Sequence, residues 1–333
     1  MTVLLAQSRR GQAIEENWYG DWAIWREEAV QRAEVEGAGE GREGGGHFDC
    51  SDQNFLNTYI GLRSVAKLFQ TYACLGLISR QLSLREIAIC TSSHSGTTEQ
   101  LKLLADFLDK HKLNWQDLDC AEHRPLDQEI SYALPGSKER RLQNNCSGKH
   151  ALMMLACQDQ SWDLKTYRRS DHPLQRRIGE EIAQLARLDK KDILIANDGC
   201  GVPAFALPVK AVLRALKYFR VDGENPLCAK IAQALLEYPE LVSGETRLDH
   251  LLTKAYRKNL ISKSGAGGLV VIIIQSKKPA VLLLKLSSSM SRTELICEAL
   301  LRRLDIDPHM PFSNQIHNLH HEVVGQIDCL IPI

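Results

Sequence analysis

The 333-residue sequence lacks net charge, because 41 Lys and Arg offset 41 Asp and Glu. That excludes a chain-wide field for nucleic acid or an anionic membrane surface. It lacks any apolar run near the ~20 residues that a membrane-spanning helix needs. The longest such run, Leu269-Val-Val-Ile-Ile-Ile274, has the length of a strand. No secretory segment is expected, since Met1-Thr-Val-Leu-Leu-Ala6 is short and Arg9-Arg10 follows it instead of preceding it. There is no internal repeat and no Cys-x-x-Cys pair of the zinc-finger kind. These absences point to a cytoplasmic protein with no nucleic-acid or membrane partner.

What is present fits a globular enzyme-sized chain. Hydrophobic residues make up 44% and charged residues 25%, enough for a sizeable core. The 10 cysteines are irregularly spaced, which suits reduced thiols more than a disulfide framework. A single domain over 1–333 is expected, interrupted by a flexible loop at 34–46 that is rich in Gly and Glu.

Patterning gives an alternation of strands and helices. Gln12 to Asn17 and Asp21 to Trp25 read as strands flanking a turn at Trp18-Tyr19-Gly20. An amphipathic helix is expected over 64–79, a buried strand over 86–91, and a helix from Thr98 to Lys112 capped by Thr97 or Thr98. Ala151 to Cys157 reads as a buried helix. Pro173 opens another, and Asp192 to Ala196 reads as a strand. Helices at 208–217, 225–236, 246–257 and 291–303 surround an apolar hairpin at 268–275 and 279–286, and the tail reads as irregular. The fold class expected is mixed α+β: an antiparallel-containing sheet flanked by helices, with a helical subdomain.

Four constellations could carry chemistry. Ser64 and Lys67 lie three apart, on one face of a helix, and a desolvated lysine can serve as base to a serine. As a four-residue pattern, Ser-x-x-Lys also occurs as an ordinary helix start. Ser92-Ser-His-Ser-Gly96 offers Ser93 or Ser95 as nucleophile and His94 as base, or simply a hydrogen-bonded turn. Cys146, Lys149 and Cys200, with Asp198, combine soft and hard metal donors, although two buried cysteines near tight turns explain the spacing as well. Lys263 interrupts a strand entry ahead of glycines, where it can reach a site or sit as an edge charge.

Taken in order along the chain, these segments resemble the L-asparaginase II family, the rhizobial-type or class 3 L-asparaginases. The matching stretches are Arg10 to Glu15, Arg63-Ser-Val-Ala-Lys67, Ser93-His-Ser-Gly96, Asn145-Cys-Ser-Gly-Lys-His150, Asp171-His-Pro173, Asp198-Gly-Cys-Gly-Val-Pro203, Tyr238-Pro-Glu240 and Lys263. The sequence departs from the family pattern at Leu68, where Pro is usual, and at Thr97-Thr98, where Glu-Pro is common.

The resemblance implies a serine amidohydrolase that converts L-asparagine to L-aspartate and ammonia. Its fold would be related to glutaminases and serine β-lactamases, and it would be a homodimer. It implies two Ser-Lys pairs, Ser64 with Lys67 and Ser93 with Lys263. It also implies a Zn2+ site at Cys146, Lys149 and Cys200, beside a substrate pocket to which Arg63, His94, Asn145 and Asp198 are candidates. The alternatives are a related amide or β-lactam hydrolase on the same scaffold, a zinc hydrolase, and a non-catalytic protein with structural zinc.

Overall fold

The structure is a computed structural model that describes residues 2–27, 46–127, 129–288, 290 and 292–331. The loop expected at 34–46 therefore lies outside the described residues, except for Gly46.

The chain opens with a hairpin of β1 (Val3–Arg10) and β2 (Ala13–Glu27). Its turn is Gly11-Gln12, with Gly11 at φ +59 in the left-handed region that glycine tolerates. The turn expected at Trp18-Tyr19-Gly20 is instead the middle of β2. Gly20 serves close approach there, since a Cβ would lie 2.6 Å from the Lys285 carbonyl oxygen across the sheet. β3 (Gly46–Cys50) continues along β2, and β4 (Tyr59–Gly61) starts a second sheet.

A 3-10 turn over Arg63–Val65 leads into α1 (Ala66–Leu75), shorter than the 64–79 span expected. Next come α2 (Leu84–Thr91), α3 (Thr98–Lys110), α4 (Lys138–Leu142), α5 (Ser147–Asp159) and α6 (Pro173–Ala186). α2 corrects the strand expected over 86–91. Ser83 Oγ accepts from Glu86 N while the Glu86 carboxylate accepts from Ser83 N, a capping box that starts a helix. The apolar run misleads because α2 is packed against α1, α3 and α5 at once.

β5 (Leu194–Asn197) and β6 (Pro203–Pro208) complete the small sheet in the order β4-β6-β5. Helices α7 (Val209–Leu216), α8 (Pro226–Glu237), α9 (Pro239–Val242) and α10 (Leu248–Ala255) precede strands β7 (Leu260–Gly265), β8 (Leu269–Ile274) and β9 (Ala280–Leu286). α11 (Thr293–Arg302) follows. The tail is not irregular: it forms β10 (Gln315–His317) and β11 (Val323–Cys329). Only Ile327 of β11 is buried, so the strand carries no clear apolar alternation.

Among the described residues the main sheet runs β10-β11-β1-β2-β9-β8-β7, with β3 beside β2 and every pairing antiparallel. Both faces are covered. Val271, Ile273, Val281 and Leu283 point into a core with α1, α2, α5, α6, α7 and α8. Val270, Ile272, Leu282 and Leu284 point the other way, toward α10 and α11. Alternate residues thus bury on opposite sides, which is why β8 reads as an unbroken apolar run. The result is the mixed α+β architecture expected, an antiparallel sheet flanked by helices. Among the described residues, no helix is long and apolar enough to cross a membrane.

Candidate active site

The site forms where α1, the turn after α2, the start of α5 and the edge strand β7 converge. The turn is built by residues that sequence reasoning missed. Ser92 ends α2, with its hydroxyl donating to Ile89 O at 2.7 Å. The buried Gln100 then gathers the chain: its Oε1 accepts from the amides of Ser95, Gly96 and Thr97 at 3.0, 3.0 and 3.1 Å. Its Nε2 donates to Glu240 O at 2.9 Å, tying the turn to α9. The signal for Gln100 was present as the third residue of a Thr97 capping box.

Ser93 sits in this turn between two fully buried lysines. Lys67 Nζ lies 2.5 Å from Ser92 O, 3.0 Å from Asn145 O and 3.0 Å from Ser93 Oγ. Lys263 Nζ lies 3.2 Å from Ser93 Oγ, 3.2 Å from Ser264 O and 3.3 Å from Asp249 Oδ2. Both lysines therefore meet on one serine. Ser64 is half-buried in the turn before α1. Among the described residues its hydroxyl makes no hydrogen bond to Lys67. The end of β7 runs beside it, close enough that a Cβ on Gly265 would stand 3.5 Å from Ser64 N.

The lysine partners differ in kind. Two of Lys67's neighbours are carbonyls, which only accept. A neutral amine has two N–H groups for them and one lone pair left for the Ser93 hydroxyl. Burial pulls Lys67 down to about 8, opposed by Cys146 and reinforced by Lys263 and Lys149. The Asp249 carboxylate, 2% exposed, makes a buried ion pair with Lys263.

His94 is not placed to act as base on either serine. Its Nε2 pairs with Ser147 Oγ at 2.9 Å, and that hydroxyl donates onward to Leu142 O. The nitrogen facing Ser147 therefore carries the proton. Burial, with Lys67 close by, pulls His94 down to about 3, so it stays neutral. It is a strut joining the Ser93 turn to α5. Asn145 contributes its backbone carbonyl to Lys67. Arg63 enters its turn at φ +47, a left-handed conformation costing roughly 1–2 kcal/mol, and faces Asp198 at 3.3 Å.

Cys146, Lys149 and Cys200 also come together. Lys149 Nζ donates to Cys200 Sγ at 2.9 Å, and Asp198 Oδ2 lies 3.9 Å from the same sulfur. The hydrogen bond from Cys200 pulls the Cys146 thiol well below its ordinary value, with Lys67 and Lys149 adding to the pull. Burial opposes the charge of Lys149, but the two sulfurs overcome it and hold the ammonium. Among the described residues, no three His, Cys, Asp or Glu side chains stand together as a ready metal cage. All ten cysteines are free thiols.

A family model for L-asparaginase II matches residues 50–329, nearly the whole described chain and every residue of this site. The chain belongs to the L-asparaginase II family. Membership supports an L-asparaginase, a hydrolase acting on a linear amide of a small-molecule substrate. No curated protein matches the chain.

Proposed function

We propose that the chain hydrolyses L-asparagine to L-aspartate and ammonia by Ser-Lys chemistry centred on Ser93. One observation carries this reading: Ser93 Oγ lies 3.0 Å from Lys67 Nζ and 3.2 Å from Lys263 Nζ. Neutral Lys67 takes the serine proton as Oγ attacks the side-chain amide carbon. The C–N bond then breaks, and the leaving ammonia takes that proton back from Lys67. Water attacks the acyl-enzyme by the same route and releases aspartate. The Ser93 amide already donates to Val242 O at 2.9 Å, so it does not serve the oxyanion. Lys263 is the nearest positive charge for that task. Arg63 and Asp198 suit the substrate's α-carboxylate and α-ammonium.

A second reading has Ser64 attack while Ser93 relays its proton to Lys67. Its support is exposure, since Ser64 is half-buried whereas Ser93 is only 4% exposed. Trapping the acyl-enzyme and locating it by peptide mass spectrometry separates the two. Acyl on Ser93 supports the first reading and acyl on Ser64 the second. Acyl on neither serine overturns both. A panel with asparagine, glutamine and a β-lactam tests the substrate, and faster turnover of either of the last two would replace asparagine.

The donor chemistry of Cys146, Cys200 and Lys149 suits a soft cation, with the Asp198 carboxylate nearby. In this reading these three residues hold Zn2+, and Lys149 gives up its proton to bind. Bound there, the metal would add positive charge beside the substrate pocket. Homodimer formation belongs to the same reading, and the exposed apolar side chains Leu194 and Ile195 on the edge strand β5 offer a surface for it. A cytoplasmic location fits the free thiols.

A further inference from the structure

We propose that Asp249 is a positioning residue that divides labour between the two lysines, holding Lys263 as an ammonium so that Lys67 alone acts as base. The inference rests on the Ser-Lys reading above and adds a residue to it.

The geometry assigns the roles through hydrogen-bond inventory. Lys263 Nζ has three neighbours, Asp249 Oδ2, Ser264 O and Ser93 Oγ, at 3.3, 3.2 and 3.2 Å. All three can accept, and an ammonium has three N–H groups to give them. Among the described residues, Lys67 has no carboxylate partner, and two of its three contacts are carbonyls. Ser93 Oγ can then donate to Lys67 while accepting from Lys263. One hydroxyl thus lies between a base and a cation, which is what proton removal followed by charge development on oxygen requires.

Asp249 is fixed for this task. It lies on α10, which packs against β7, the last strand in the sheet order. Its Oδ1 accepts from Ser264 N at 2.7 Å and from Ser262 Oγ at 3.3 Å, so Oδ2 is aimed at Lys263 on the residue between. Other charged or titratable groups face the lysine pair. His94 beside Ser93 and His150 on α5 both feel the Lys67 charge, and burial keeps both rings neutral. Cys146 and Lys149 from α5, and Cys200 after β5, act on Lys67. Cys297 from α11 feels the Asp249 charge, and burial holds it as a neutral thiol. Arg63 and Asp198 pair with each other near the start of α1.

Asp249→Asn keeps an oxygen for Ser264 N and Ser262 Oγ, and replaces the charged acceptor facing Lys263 by a neutral amide NH2. Measured across pH, kcat/KM should fall less than about 10-fold near neutrality and more than about 100-fold near pH 9. The alkaline limb should move toward neutral by about one pH unit or more, with KM little changed. Asp249→Glu should restore the wild-type shape of the profile. A uniform loss at every pH with an unmoved alkaline limb would make Asp249 a strand-edge brace and overturn the proposal.

The charge state is read independently by NMR of 13Cε-labelled lysine, with Lys263 assigned through Lys263→Arg. At one pH near neutrality the wild-type signal should stand at the ammonium position, and the Asp249→Asn signal should be displaced from it. Identical Lys263 signals in the two proteins would overturn the proposal. This measurement needs no turnover. If the enzyme released ammonia from no amide, the Ser-Lys reading would fail while the role of Asp249 was still decided.

Discussion

At the scale of single residues, the proposed chemistry turns on which side chains share Ser93. The sequence made Ser64, Lys67, Ser93 and Lys263 visible, and the family resemblance implied two separate pairs. It could not show that both lysines meet on one hydroxyl, because the packing of α1 against α2, not spacing along the chain, brings Lys67 to Ser93. Asp249 was invisible for another reason: a lone Asp on a helix has no local pattern that marks it, whereas Gln100 was marked only as the third residue of the Thr97 capping box. Replacing Ser93 by Ala should lower kcat by about 10³-fold or more in an ammonia-release assay, with little change in melting temperature. Lys67→Arg should lose as much, since a guanidinium keeps its proton. For the wild type, activity should climb as pH rises through about 8, where Lys67 becomes neutral. The sign for stability is the same. The folded value of Lys67 lies below that of the unfolded chain, so between about 8 and 10.5 the unfolded state binds more protons and stability rises with pH. Denaturant titrations across that window, with Lys67→Met as the flat control, check it.

At the scale of elements, patterning worked where one face met solvent or where both sheet faces were covered. The β8–β9 hairpin, α6 behind Pro173 and α3 behind Thr97 were all legible. Patterning failed for α2, whose enclosure erased the helical stripe, although Ser83-x-x-Glu86 announced the helix. It failed again for β2, where a glycine required by a crowded sheet resembled a glycine in a turn. Two changes test this level. Ser83→Ala should cost about 1 kcal/mol by denaturant unfolding, through loss of the cap. Gly148→Ala should cost more, about 1–3 kcal/mol, because the new Cβ would lie 2.3 Å from Ile89 O, the helix that leads into the Ser93 turn. Amidase activity should fall with it, since α5 also carries the Asn145–Cys146 end of the site.

At the scale of the whole molecule, two of the buried histidines, His94 and His150, are completely enclosed as neutral rings. Burial and Lys67 pull His94 down to about 3, and burial with Lys149 pulls His150 well below its usual value. The unfolded chain takes up protons at both positions below about 6.5. Stability should therefore fall as pH drops from there, by about 1.4 kcal/mol per pH unit for each ring, and His94→Gln should remove one share of that slope. Metal content is a second test at this scale: about one Zn2+ per chain, lost in Cys200→Ser, is the expected outcome. The sheet order carries a consequence for synthesis. Ala6 of β1 pairs with Cys329 of β11, so β1 leaves the ribosome long before the strand it pairs with. At ~5–20 residues per second, the β1–β2 hairpin waits roughly 15–60 seconds with an open edge before that partner arrives. A nascent chain of this protein is therefore a natural client for chaperones that shield strands, and slow codons late in its message would lengthen the exposure.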